Sequence, residues 1–552
     1  MKKIYQIPLF VSALLIFCFT ACKNTNKNSD AIYSEPGSHP MKASADLAKT
    51  TTESGDVIGY VHKGIFNFKG IPYAKAERFM PPQKPDKWKG VRSCRAYGPV
   101  CPIDVESMVL FDEMEFAQQH NFWVMNEKNC MNLNVWSPSL SAETKRPVMV
   151  WLHGGGYTAG SSCELPSYDG ENLSRTGDVV VVSINHRLNV LGFLDLSAVD
   201  EKYAQSANVG MMDVVAALEW VHENIANFGG DPGNVTIFGQ SGGGGKVATL
   251  MYTPSAKGLF HKAIMQSGVA GQFRTKEDAQ KIGLALLDEL GLKKSEADKL
   301  KDVPHAELLA AGNRAIAKTQ ESGFGHLGWE PSCDGSFIPI QPGAPGAEDL
   351  SKDIPLIIGS NQVEFGSFGN RDLLHADEEA VITKLKEHYG DKTEAFVAAF
   401  KKAYPNTKMP SDILDVDVMF RPMLLEFAQI KSSVPEGAPV YNYVFKWNSP
   451  LLDGMLKSSH CMEIAFVFNN IERTEEYNGG TPEAYALAEK LSKTWASFAH
   501  TGNPNNESIP KWEPFTTEGG ATILFDNQSE LVFNHDKELM QIAASVSQNR
   551  TL

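Results

Sequence analysis

The chain has 552 residues, of which 42% are hydrophobic and 21% charged, and a formal net charge of −15 at pH 7. This length and apolar content fit a globular fold with a large core, either roughly three or four ordinary domains or one large domain with insertions. The negative balance argues against a nucleic-acid partner, because phosphates have to be met by clustered Lys and Arg.

Met1-Lys2-Lys3 is a short positive start, residues 9–19 (LFVSALLIFCF) are apolar, and Phe19-Thr20-Ala21-Cys22 follows. That order reads as a secretory signal over residues 1–21. The small residue before Cys22 marks it as a lipidated first residue, which predicts an exported bacterial cell-envelope lipoprotein held to the membrane by its lipid. The alternatives are an ordinary signal or a membrane anchor, and the apolar run is short for a span. Residues 22–53 are polar with few large apolar groups, which predicts a flexible tether and a folded domain over 54–552.

Within the domain, 147–152 (PVMVWL), 179–184 (VVVVSI), 235–238 (VTIF), 262–266 (KAIMQ), 355–358 (PLII) and 439–445 (PVYNYVF) have the length and β-branched content of buried strands. Between some of them lie amphipathic helical stretches. In 210–228, Met211, Val214, Val215, Leu218, Val221, Ile225 and Phe228 recur on one helical face. Helical patterns at 276–291, 305–319 and across 375–432 read as insertions, since no linker separates them from the strand series. Strands alternating with helices predict an α/β fold with a mostly parallel, doubly wound sheet and large helical insertions.

The stretch NVTIFGQSGGGGKVATL (234–250) follows one strand and precedes a helical pattern that resumes at Lys246. Gly239-Gln240-Ser241-Gly242-Gly243 fits G-x-S-x-G in the strand–turn–helix setting of a nucleophile elbow. A sharp turn there strains the serine backbone and crowds the positions two residues either side, which calls for Gly239 and Gly243. GGGGK is not a phosphate loop, because Gln240 stands where that pattern needs Gly and Val247 where it needs Ser or Thr. His222-Glu223-Asn224-Ile225-Ala226 lacks the second histidine of a zinc HExxH site. No metal or organic cofactor is implied.

A serine nucleophile needs a base and preorganised N–H donors for the oxyanion. His153-Gly154-Gly155-Gly156 follows the strand 147–152, as an oxyanion loop does. The base is expected on a late loop, and His460 in LKSSHCMEIAFVF fits that place. His500 ends the helical pattern 482–499 and is better explained as a cation at a helix C-terminus. The acid is expected after an intervening strand, where IPLIIGSNQVEFGSFG places Glu364.

From about 55 to 535 the chain resembles the type-B carboxylesterases, which include cholinesterases, liver carboxylesterases and bacterial para-nitrobenzyl esterases. The resemblance rests on FKGIPYAKAERF, NCMNLNVWSP, PVMVWLHGGGY, VVVVSINHRLNVLGFL, NVGMMDVVAALEWVHENIANFGGDPGNVTIFGQSGGG, GSNQVEFGSF and SSHCMEIAFVF, in that order. It implies an α/β-hydrolase fold and hydrolysis of a small-molecule carboxylic ester. Ser241 would be the nucleophile, His460 the general base and Glu364 the acid orienting the imidazole. The amides of Gly155, Gly156 and Gly242 would hold the oxyanion. The resemblance also implies a disulfide between Cys101 and Cys130, worth about 3–4 kcal/mol in the chain-entropy model, and leaves Cys94, Cys163, Cys333 and Cys461 unassigned.

The chain departs from the family in four places. Gln240-Ser241-Gly242 replaces the frequent Glu-Ser-Ala, Asn129 stands for an Asp and His186 for a Tyr. The choline-binding tryptophan has no counterpart between Cys101 and Cys130, Trp123 being offset, so cholinesterase activity is not implied. The alternative to an esterase is a non-catalytic adhesion protein of the same family. Such proteins usually lose the serine, and here every triad position is filled.

Overall fold

The computed structural model describes residues 40–108, 112–268, 271–319, 328–366 and 371–547. The expected signal over 1–21, Cys22 and the tether up to residue 39 lie outside them. Met41–Leu552 forms one compact unit.

The strands before the first long helix are β1 (Lys49–Thr52), β2 (Gly55–Ile58), β3 (Tyr60–His62), β4 (Ile65–Pro72), β5 (Val91–Ser93), β6 (Asn132–Ser137), β7 (Arg146–Leu152) and β8 (Val180–Ile184). Those after it are β9 (Gly230–Gln240), β10 (Lys262–Gln266), β11 (Arg274–Thr275), β12 (Ser332–Cys333), β13 (Leu356–Asn361), β14 (Val440–Phe445), β15 (Ala521–Phe525) and β16 (Glu530–Phe533). Among the described residues, one sheet has the order β16-β15-β14-β13-β10-β9-β7-β8-β6-β4-β3. The six apolar runs are its middle, β14 to β8, and every pair there is parallel. β15 continues the parallel set, while β16 and the β6-β4-β3 edge run antiparallel.

Continuous apolar strands mean that both faces of the sheet are covered. Successive side chains point to opposite faces: Val148, Val150 and Leu152 enter one core, and Met149 and Trp151 the other. The helix Val209–Asn224 packs Met211, Val214, Leu218 and Val221 on the first face. The helix Pro482–Thr501 brings Leu487, Leu491, Trp495 and Phe498 to the second. The sheet is therefore wound on both sides. The helical patterns at 276–291 and 305–319 are the helices Lys276–Glu289 and His305–Thr319, which join the first core. Helices Glu378–Tyr389, Thr393–Ala403 and Lys537–Ser547 contribute to a separate apolar cluster.

Residues 42–53, assigned to the tether by their polarity, are folded. Lys42 bridges Val61, and the Thr-rich β1 pairs antiparallel with β2, while Thr50 and Glu53 bond Asn227 and Asn224. A half-exposed edge strand needs little apolar content, so composition does not distinguish it from a linker.

β7, β9, β10 and β13 are parallel, and their registers align Leu152 with Gly239, Gln240 with Gln266, and Gln266 with Gly359. Their C-terminal ends lie along one rim of the sheet, where ligands bind in open α/β folds.

Candidate active site

β9 ends at Gln240, and Ser241 then turns the chain with φ 57° and ψ −126° into the helix Gly242–Met251. This conformation is strained for a residue with a Cβ, and its neighbours hold it. Ser241 N donates to Gln266 O at 2.8 Å, and Gly245 N donates to Ser241 O at 3.1 Å. A Cβ on Gly239 would come within 2.6 Å of Gly243, and one on Gly243 within 2.0 Å of Leu152 O. The helix starts at Gly242, four residues before the apolar pattern resumes at Lys246. Close packing there excludes side chains, and tertiary fit overrides the poor helix propensity of glycine.

The loop after β7 lies against this turn. Gly155 and Gly156 have φ of 82° and 57°, values open to glycine at little cost. Thr158 N and Ala159 N both donate to Gly155 O at 3.0 Å. A Cβ on Gly242 would stand 2.3 Å from Gly156 N, so the Gly156 amide nitrogen lies beside the Gly242 α-carbon. Among the described residues, the amides of Gly155, Gly156 and Gly242 make no protein hydrogen bond.

Glu364 and His460 meet at the same rim. Glu364, at φ 51°, follows β13 and accepts from Asn361 N at 2.8 Å. His460 Nδ1 bonds Glu364 Oε2. The His460 carbonyl accepts from Tyr477 Oη and from Gln118 Nε2. The rings of Phe365 and Phe420 lie 4.2 and 5.4 Å from the imidazole. Glu364 and His460 are both buried, and burial pushes the carboxyl up and the imidazole down, each toward its uncharged form.

The structure brings Glu364 to His460, and Gly156 to Gly242, by direct contact. It makes no hydrogen bond between the Ser241 hydroxyl and His460. The Gln240 amide Nε2 stands 3.3 Å from both ring nitrogens of His460, while Gln240 Oε1 accepts from the Cys461 thiol at 3.2 Å. His460 thus lies against the elbow, at the residue before the serine. The expected Cys101–Cys130 disulfide is absent. The two are buried free thiols; Cys130 Sγ donates to Glu127 O at 3.4 Å, and Cys101 Sγ accepts from Leu188 N at 3.3 Å.

A second ring of buried groups carried no sequence signal. Asn361 Nδ2 donates to Ser459 O and to Glu463, Gln266 Nε2 donates to Glu463, and Trp495 Nε1 donates to Gln266. These residues sit on separate elements, and only the fold makes them neighbours.

A family model described as the carboxylesterase family matches residues 46–543. The para-nitrobenzyl esterase of Bacillus subtilis (strain 168) is 36% identical over 494 residues, covering 88% of this chain and 96% of that protein. Liver carboxylesterase 1 of Oryctolagus cuniculus is 32% identical, covering 82% and 84%. An esterase from Clostridium hathewayi superposes with a TM-score of 0.81 at 38% identity, covering 92% of this chain and all of that one. With an α/β-hydrolase sheet and matches spanning almost its whole folded length, the chain belongs to the carboxylesterase family and is a carboxylic ester hydrolase.

Proposed function

We propose that hydrolysis proceeds through an acyl-enzyme on Ser241. His460 Nε2 takes the serine proton as Oγ attacks the ester carbonyl, and the Gln240 amide gives way from Nε2 as the hydroxyl turns in. Catalytic hydrogen bonds often tighten only once substrate is bound. Glu364 holds Nδ1–H, which keeps Nε2 free to accept and stabilises the imidazolium. The oxyanion is held by the amides of Gly155, Gly156 and Gly242. The imidazolium then protonates the departing alcohol, and water, activated by the same base, releases the acid.

The observation that carries this reading is the His460–Glu364 pair lying against Gln240, the residue before a strained serine, with glycine amides that are unpaired among the described residues beside that turn. Phe365 and Phe420 give the base an apolar flank, which suits esters with apolar groups. The Clostridium hathewayi esterase is described as hydrolysing aliphatic aromatic polyesters, and aromatic esters are a substrate class to test first.

The N-terminal residues support export with Cys22 as the lipid-bearing residue, placing the enzyme at the cell envelope. No described helix is long and apolar enough to cross a membrane. Release of p-nitrophenol from p-nitrophenyl acyl esters, compared between the purified protein and Ser241→Ala, tests the assignment. Loss of at least about 10³-fold in kcat is expected, and equal rates would reject it.

A further inference from the structure

Lys246 lies one turn into the helix that starts at the elbow, and its side chain is fully buried. Its ammonium donates to the carbonyl of His153 at 2.9 Å and stands 5.9 Å from the centroid of the Tyr157 ring. These two residues bracket Gly154-Gly155-Gly156. One cation therefore touches both ends of the glycine turn.

The same helix seats Tyr157 in other ways. Tyr157 Oη pairs with Thr249 Oγ1 at 3.1 Å, and a Cβ on Gly245 would come within 2.9 Å of that oxygen. At the other end, Gly154 packs against the elbow, and a Cβ there would lie 3.4 Å from Ser241 Cβ. Burying an ammonium against a neutral carbonyl and a ring face is costly, and burial pulls Lys246 down to about 7, with Glu164 opposing. A methionine would fill the space without that cost. Volume is thus not what the side chain supplies.

We propose that Lys246 is a positioning residue for the oxyanion loop, fixing the His153 carbonyl so that the Gly155 and Gly156 amides face the atom attacked by Ser241. It touches no substrate. Ser241 directly precedes the helix that carries Lys246, so one element sets the position of both nucleophile and clamp. A small displacement of donors is enough to slow the chemical step without loosening substrate binding.

This inference rests on the oxyanion assignment above, and the experiment separates the two. Lys246→Met, Lys246→Gln and Ser241→Ala are compared on a p-nitrophenyl acyl ester. Inhibition by an alkyl trifluoromethyl ketone, whose serine adduct places an oxyanion in the same amides, is measured in parallel. Lys246→Met is expected to melt no lower than wild type and to lose on the order of 10- to 100-fold in kcat with KM changed less than about twofold. Ketone affinity should fall by a similar factor, and Lys246→Gln, which keeps an N–H, should recover part of both. If Lys246→Met does not fold, Lys246→Gln decides alone. Unchanged kcat and ketone affinity, or a loss carried by KM, overturn the inference. A Ser241→Ala rate equal to wild type overturns the oxyanion reading and this one with it. An inactive Ser241→Ala beside a fully active Lys246→Met overturns this one alone.

Discussion

His460 is tied to Glu364 by its main chain as well as its ring. His460 N donates to Glu364 O at 3.0 Å, the neighbouring Ser459 forms a parallel bridge with Glu364, and Nδ1 bonds Oε2. A substitution that changes only the carboxyl oxygen therefore leaves the loops docked, and the chemistry of the side chain can be read apart from its placement.

Glu364→Gln should keep the fold and lose catalysis. The amide can present N–H to Nδ1, which forces the ring proton onto Nε2 and removes the acceptor for the serine proton. A drop in kcat of about 10³-fold or more is expected, with little change in KM. Because burial opposes the charged carboxylate, the variant should melt no lower than wild type. Steady-state kinetics beside thermal melting checks this, and a kcat within about threefold of wild type would contradict it.

Gln240 sets the charge beside the base. Burial pulls His460 down from the ordinary imidazole value of 6.5, and the acids Glu463 and Asp417 oppose it. The base is then neutral, and competent, above its lowered pKa, so the acid limb of kcat/KM should lie below pH 6.5. Gln240→Glu restores the charge common in the family, 3.3 Å from the ring in the present side chain. An ionised carboxylate there favours the imidazolium and should move that limb up by about one unit or more. A pH–rate profile of both proteins reads the shift, and coincident limbs would refute it.

The placement of the candidate residues was legible in the sequence because Ser241, the glycines after His153 and Glu364 each come shortly after a strand of contiguous apolar residues. Runs such as 147–152 and 262–266 are strands at nearly the same bounds. β6 (NLNVWS) and β4 gave no such signal. β6 is buried throughout, yet Asn132, Asn134 and Ser137 satisfy themselves with Pro99, Ser162 and Phe228, partners that only the tertiary fold supplies. Lys246 gave no sign of its burial. The sequence marks it only as the point where a helical pattern resumes, whereas the helix starts at Gly242 and the side chain is buried. Gln118 and Tyr477 reach the His460 carbonyl from two other segments, so no local spacing could mark them.

Gly242 is a second place where the chain departs from the family's Glu-Ser-Ala. With Gly156 N only 2.3 Å from where a Cβ would stand, Gly242→Ala requires the oxyanion loop to back away from the elbow. A loss of about tenfold or more in kcat is expected, with KM nearly constant. Kinetics of the variant checks this. Wild-type kcat would mean that the loop accommodates a methyl group without moving its amides.

Cys101 and Cys130 bound the segment that carries Gln118 to the His460 carbonyl. The neighbouring Cys101 thiol, together with burial, pushes Cys130 well above the usual thiol range, so Cys130 is a weak nucleophile while reduced. If the chain is exported as its first residues predict, the pair meets an oxidising compartment, where the disulfide that the family resemblance implies can form. The oxidised protein should then show two fewer titratable thiols when unfolded than the reduced protein, and should resist urea by about 3–4 kcal/mol more. Cys130→Ala should abolish both differences. Its effect on kcat should be small, because Tyr477 holds the His460 carbonyl independently of the loop. Equal thiol counts and equal urea midpoints with and without reductant would show that the pair stays reduced.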